Sequence, residues 1–340
     1  MTLPTGPAAP ALDVLDAAFD WRRQGKSVAL ATVVQTWGSS PRPPGSHLAV
    51  TGEGEIAGSV SGGCIEGAVV KEALDILAGA PAKVLEFGVT NEQAWDVGLA
   101  CGGTVRVLVR DIAPSVALYE QAVGRLASGE SSALVTKLET GESDLLGADA
   151  LPDAVAEGAR GALRDDRSRA LTGDDGDWFV EVVAPARRMI IVGAVHIAQA
   201  LAPMAAMAGF DVTVVDPRRA FASDARFPDI HVMIDWPDDA MAELKPDTRT
   251  AVVTLTHDSK IDDPALDAAL RSPAFYIGAL GSTRTMAKRV QRLTQAGFGE
   301  DAIARIHGPV GLDISAQSPA EIAVSILGQV ISVMRGTPTP

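Results

Sequence analysis

The chain has 340 residues, 47% of them apolar, and carries a net charge of −14. That length suggests two domains of roughly 100–200 residues each, and that apolar content excludes a disordered chain. The negative balance excludes nucleic acid and an anionic membrane as expected partners, because both call for a basic face.

Two cysteines, Cys64 and Cys101, do not make a disulfide framework. The opening MTLPTGPAAPALDV has neither the basic segment nor the apolar core of a secretory leader. The expectation is a cytoplasmic protein with reduced thiols. One stretch imitates a membrane span, since no charged residue lies between Arg188 and Asp211. Its Gly193, His196, Gln199, Pro203 and Gly209 read instead as a core strand followed by a packed helix.

Residues 1–10 hold three prolines and no periodicity, and are expected to be a disordered tail. Residues 11–184 form the first expected domain, an α/β (α+β) unit. Leu12, Leu15, Ala18 and Phe19 at helical spacing predict a helix over 11–26. The β-branched run SVALATVVQT predicts a strand over 27–36, and the prolines and glycines of 37–46 predict a loop. Two short strands around a turn follow over 47–60, then a helix over about 65–78. AKVLEF and TVRVLVR predict two more strands. Residues 115–184 read as helix, strand, loop, helix and strand, with an exposed hairpin at 166–177.

A linker is expected at 185–188, and a second domain over 189–335. There, RMIIVGA, DVTVVD, TAVVTLTHD and AFYIGALGS are buried strands, each followed by a helix or loop. Strand–helix alternation of this kind gives a Rossmann-like, doubly wound parallel sheet covered on both faces. Pro203 predicts a kink or early break in the helix after Gly193. At the last helix Ser318 is the cap, Pro319 the first helical residue, and Glu321 completes a capping box.

Several motifs bear on chemistry. Gly193 opens a helix after a strand, where a dinucleotide fold meets phosphate with amides. Asp216, at the end of the next strand, stands where a ribose-binding carboxylate belongs. The fingerprint is incomplete, because its second and third glycines are Val195 and Ala198. His196, His257 and Asp258 fall at carboxyl ends of strands, where such sheets bind ligands. GALGSTRT offers Gly281 and Arg284 for an anion at a helix start. For each of these, a structural hydrogen bond or plain helix entry is the competing reading.

In the first domain, SGGCIEG puts Cys64 behind Gly62 and Gly63, at a predicted helix start that favours thiolate. Glu66 falls in the first turn, where a carboxylate is also favoured. Cys101 precedes Gly102 and Gly103. Neither cysteine has the paired spacing of a structural zinc site. Small buried residues in tight turns are the competing reading of both. Arg42, stiffened by flanking prolines, is a cation candidate for an anion, against the alternative of an ordinary solvated arginine.

These stretches resemble the XdhC/CoxI family, accessory proteins that mature xanthine dehydrogenase and related molybdenum hydroxylases. The matching residues are GSSPRPPGS (38–46), GSVSGGCIEGAV (58–69), GLACGG (98–103), VGAVHIAQAL (192–201), VTVVDPRRAFAS (212–223), RFP (226–228), THD (256–258), YIGALGSTRT (276–285) and GPVGLDISAQSPAEIAVSI (308–326). The match runs over almost the whole chain except about 115–180. Two departures are Val195 and Ser315, where members often carry glycine. The resemblance implies a chaperone that holds the molybdenum cofactor (molybdopterin) while a cysteine desulfurase adds its sulfido ligand. It then delivers the cofactor to an apo molybdenum hydroxylase, and is itself a maturation factor rather than a hydroxylase. Cys64 and Cys101 would face the molybdenum as soft ligands or sulfur relays. Arg42 and the glycine loops would hold the phosphate and pterin. A homodimer is also expected on this resemblance. Two rival functions are an NAD(P)-dependent Rossmann oxidoreductase and a docking scaffold without cofactor. The absence of any YxxxK counts against the first.

Overall fold

The computed structural model describes residues 10–38, 42–88, 103–126, 128–148 and 151–336. It divides into two units, Met1–Pro185 and Ala186–Pro340.

The first unit is built from two antiparallel sheets. Helix α1 (Pro10–Arg23) buries Val14, Leu15, Ala18 and Phe19 along one stripe. Strands β1 (Val28–Trp37), β2 (His47–Thr51), β3 (Ile56–Gly58), β4 (Lys83–Phe87) and β5 (Thr104–Asp111) form a five-stranded sheet in the order β3-β2-β1-β5-β4. Alternation along β1 sends Ala29, Ala31 and Val33 to one face. Helix α2 (Glu66–Leu77) covers that face with Val69, Ala73 and Ile76. Leu30 and Val28 point the other way, into a core shared with the second sheet.

That second sheet has β6 (Ser132–Lys137), β7 (Ser143–Leu145), β8 (Arg169–Gly173) and β9 (Gly176–Val183), in the order β7-β6-β9-β8. Helix α3 (Val116–Leu126) joins the shared core through Tyr119, Ala122 and Val123. Helix α4 (Asp153–Asp165) packs Val155, Ala159 and Ala162 on the outer face. The expected hairpin at 166–177 is the β8–β9 turn, with Gly176 at φ +124. Sequence patterning predicts two strands and this hairpin in the region; β7 is the additional strand, short and mostly half-buried, so it shows no strong apolar run.

The second unit is a parallel sheet of β10 (Arg187–Val192), β11 (Phe210–Val215), β12 (His231–Met233), β13 (Thr250–Thr254), β14 (Tyr276–Ala279) and β15 (Ile306–His307). Its order, β12-β11-β10-β13-β14-β15, is that of a Rossmann fold, and the strand order reverses between β10 and β13. One face is covered by α5 (His196–Met207) and α10 (Pro319–Arg335). The other is covered by α6 (Pro237–Leu244), α7 (Ser259–Arg271), α8 (Thr283–Gln295) and α9 (Glu300–Ile303). No helix of the described residues is long and apolar enough to cross a membrane.

Helix α5 runs on through Pro203 rather than breaking there. Leu201, Ala202 and Ala205 are fully buried around it, and that burial outweighs the one backbone bond proline forfeits. The capping box at α10 is formed: Ser318 accepts from the Glu321 amide and Glu321 accepts from the Ser318 amide. Ser318→Ala is expected to lower the stability of the second unit by about 1 kcal/mol, read by urea unfolding. A loss below a few tenths would mean that the packing of α10 fixes its start without the cap.

Candidate functional site

Strand registers bring three motif loops to one end of the five-stranded sheet. Trp37 pairs with Thr104, Phe87 with Val105, Thr32 with His47, and Leu48 with Gly58. The loop holding Arg42, the loop holding Cys64 and the residues flanking 89–102 therefore leave from the same edge. Gly58 and Thr104 are three strand spacings apart across the sheet, about 14 Å, and are also offset along it, because Gly58 is level with Ala31 and Thr104 with Trp37, about 20 Å further on at ~3.3 Å per residue. Cys101 and Gly102 lie outside the described residues. Gly103 is buried just before β5. Arg42 is half-buried and already has an interaction within the chain.

The Cys64 loop has a specific construction. Gly58 (φ +86) cannot carry a side chain, because a Cβ would lie 2.4 Å from the His47 carbonyl oxygen. From there the chain wraps around the Glu66 carboxylate. Glu66 Oε1 accepts from Ser59 Oγ (2.7 Å) and the amides of Ser61 (2.9 Å), Gly62 (3.1 Å) and Val60 (3.3 Å). Its Oε2 accepts from Ser61 Oγ (2.6 Å) and the amides of Gly63 (2.9 Å) and Ile65 (3.2 Å). Burial alone would raise this carboxyl, but the Ser61 and Ser59 hydroxyls and the backbone amides hold it at about 2. The amides of Gly62 and Gly63, expected to meet a cofactor phosphate, are thus taken up by the chain's own anion. Glu66 is turned into the loop rather than toward a ligand. Cys64 is free and exposed, two residues before the helix begins.

In the second unit, the loops at the carboxyl ends of β10, β13 and β14 are tied together. Gly193 (φ +108) leaves no room for a Cβ, which would meet Thr256 Cγ2 at 2.4 Å. Asp262, fully buried, accepts from Thr256 Oγ1 (2.7 Å) and the amides of Thr256 and His257 (both 3.2 Å). Arg289, also buried, donates to Asp262 (3.1 Å) and to the Leu280 carbonyl (3.3 Å). This holds His257 at φ +62, a backbone conformation that costs a non-glycine residue about 1–2 kcal/mol. Neither Asp262 nor Arg289 stands out in the sequence.

His196, His257, Asp258 and Arg284 are exposed on these loops. Asp258 is the α7 cap and accepts from the Lys260 amide. Gly281, at φ +151, precedes Ser282, which caps α8. Asp216 departs from the ribose-binding role. It is fully buried, and its oxygens accept from the Ala194 amide (2.8 Å), the Arg218 amide (2.9 Å), Arg218 Nε (2.8 Å) and Arg218 Nη2 (2.7 Å). Burial acts to raise its pKa, yet Arg218 and the Ala194 amide bring it below the usual value. Four donors fill the lone pairs a ribose would need. Arg226 closes the same turn by donating to the Ala194 carbonyl (2.9 Å) and Gln199 Oε1 (2.9 Å). The residues present therefore do not fit a nicotinamide dinucleotide at this turn. Val195 sits at φ −87 without strain, whereas Ser315 takes φ +56, which glycine adopts more readily. No group of three or more His, Cys, Asp or Glu side chains among the described residues has the arrangement to hold a metal ion.

Both units have counterparts among known proteins. Residues 189–330 match the family model described as the XdhC Rossmann domain. Residues 21–88 match the model described as the XdhC and CoxI family. The chain is 30% identical over 320 residues to the molybdenum cofactor insertion chaperone PaoD of Escherichia coli (strain K12), covering 94% of this chain and 87% of that one. It is 28% identical over 336 residues to a probable xanthine dehydrogenase component of Bacillus subtilis (strain 168), covering 95% and 97%. A crystal structure described as a xanthine dehydrogenase from Bacillus halodurans superposes with a TM-score of 0.75 at 25% identity, over 95% of this chain and 96% of that one. The chain belongs to the XdhC/CoxI family.

Proposed function

We propose that this protein is a maturation factor for a molybdenum hydroxylase of the xanthine dehydrogenase type. It binds the molybdenum cofactor while a cysteine desulfurase supplies the sulfido ligand, and passes it to the apoenzyme. The observation that carries this reading is the common edge of the five-stranded sheet. It collects the Arg42 loop, the Cys64 loop and the flanks of the Cys101 segment in a chain whose relative is a cofactor-insertion chaperone.

The donor set suits the metal end of such a cargo. An exposed thiol is a soft ligand for molybdenum and a carrier for sulfur. The SGGC amides do not suit the phosphate end, since Glu66 already neutralises them. Arg42 remains as the candidate for that role. The protein works in the cytoplasm, as a homodimer, in this reading.

The test is metal and pterin content after anaerobic purification from a host that makes the cofactor. The wild type is expected to retain molybdenum and pterin, and the Cys64→Ala/Cys101→Ala variant to lose at least about tenfold, the factor for one lost ligand contact of ~1.4 kcal/mol. Equal retention by both would remove the thiols from the site. A folded wild type without cofactor that still binds apo-hydroxylase would favour the docking scaffold.

A further inference from the structure

Cys64 stands in a segment with no regular secondary structure, next to two glycines in left-handed conformations, Gly62 at φ +86 and Gly63 at φ +122. Nothing lies within 4 Å of where a Gly63 side chain would be. Val60, Ser61 and Ile65 are buried on either side, but residues 62–64 between them are exposed, and glycine loses the most freedom when fixed. Yet four successive amides are all bonded. The Gly62 amide reaches Ser59 Oγ (2.8 Å) and Glu66 Oε1 (3.1 Å). The Gly63 amide reaches Glu66 Oε2 (2.9 Å). The Cys64 amide reaches Ser61 Oγ (3.0 Å). The Ile65 amide reaches Ser61 Oγ and Glu66 Oε2 (both 3.2 Å). The two hydroxyls in this set themselves donate to Glu66. Each of these amide bonds over residues 62–65 therefore ends on Glu66 or on a hydroxyl that Glu66 holds. The N-cap Ile65 offers no side-chain cap of its own.

We propose that Glu66 is a positioning residue for Cys64. Its carboxylate is a built-in anion that fixes the glycine loop, so that the thiol is presented at the sheet edge in one geometry before any ligand arrives. This rests on the reading of Cys64 as the metal-facing thiol. A loop ordered in advance spares the binding step its ordering entropy, so losing the carboxylate weakens binding without removing a direct contact.

The test compares the full-length wild type with Glu66→Gln and Glu66→Ala. Amide hydrogen exchange is first measured on cofactor-free protein. Exchange at residues 60–65 is expected to speed up by about tenfold or more in both variants, as expected for one lost bond to a charged acceptor. Inorganic phosphate at millimolar concentration should restore protection in Glu66→Ala, where it can take the vacated place, and do nothing to the wild type. Molybdenum content of both variants should fall toward that of Cys64→Ala, while melting of the rest of the fold stays in place. Wild-type exchange at 60–65 in Glu66→Ala overturns the proposal, as does faster exchange with wild-type molybdenum content. Wild-type content in Cys64→Ala would sink the reading of Cys64 by itself and leave the exchange result standing.

Discussion

Glu181→Gln is expected to destabilise the first unit by about 3–5 kcal/mol at neutral pH, the usual cost of removing one partner from a buried ion pair. In a unit of this size that is a drop of about 10 °C or more in melting temperature. Glu181 lies on β9 and reaches across to the other sheet. Its Oε1 bonds His47 Nε2 at 2.7 Å, and its Oε2 accepts from Tyr119 at 2.8 Å. His47 Nδ1 meets Thr32 Oγ1 at 3.0 Å. Arg110 then donates to Tyr119 (3.1 Å), Ser115 (2.8 Å), Ser143 (2.6 Å) and the Gly141 carbonyl (2.9 Å). All of the charged members are buried. The amide of glutamine takes the carboxylate from His47 and removes the negative charge that offsets the buried Arg110.

The same substitution has a pH signature. Burial acts to raise the Glu181 pKa, but His47, Tyr119 and Arg110 bring it below its ordinary 4.5. Between its folded value and 4.5 the unfolded chain binds more protons than the folded one. The stabilisation is therefore complete above pH 4.5 and is lost as pH falls through the folded value. Glu181→Gln removes that acid-side slope. Urea unfolding of both proteins from neutral pH down to about pH 3 reads both effects. A loss under ~1 kcal/mol with an unchanged slope would mean that the network is incidental to the packing of the two sheets.

How much of the molecule is legible in its sequence depends on range along the chain. The central Rossmann strands announce themselves because they are buried on both faces, so MIIV and AVV are unbroken apolar runs, whereas the short β12 and β15 carry no such run. The α10 cap is legible because its two partners are three residues apart. Glu66 and Asp216 are visible as carboxylates at places that suit a ligand. Their actual partners are amides and a guanidinium of the chain itself, and local pattern does not say toward which side a loop closes. His47 with Glu181, and Asp262 with Arg289, are invisible. Each joins elements far apart in sequence, and a polar residue within a strand or helix carries no sign of its distant partner. Cys64 stands out because glycine pairs beside a rare thiol are a local signal. The bracing that gives the loop its shape does not.

Arg289→Met should cost the second unit about 3–5 kcal/mol at neutral pH, for the same reason but with the opposite pH dependence. Methionine keeps the apolar stem packed and removes only the guanidinium. Asp262, with a side chain 1% exposed, is then a buried carboxylate without a cation. Burial already raises its pKa above 3.8 in the wild type, with Thr256 and Arg289 opposing. Losing Arg289 raises it further. The folded state then binds more protons than the unfolded one above 3.8, so the variant loses stability as pH rises through that window and recovers it in acid. The Leu280 loop and the Thr256–His257 loop also lose their common tie, and with it the constraint that keeps His257 at φ +62. Asp262→Asn/Arg289→Met separates the two contributions, because it removes the orphaned charge and still leaves Leu280 untied. If the double variant regains most of the stability and the pH slope disappears, the cost lies in the stranded carboxylate. If it regains little, the cost lies in the tie between the two loops, and the exposed His257 is held in place by a buried pair.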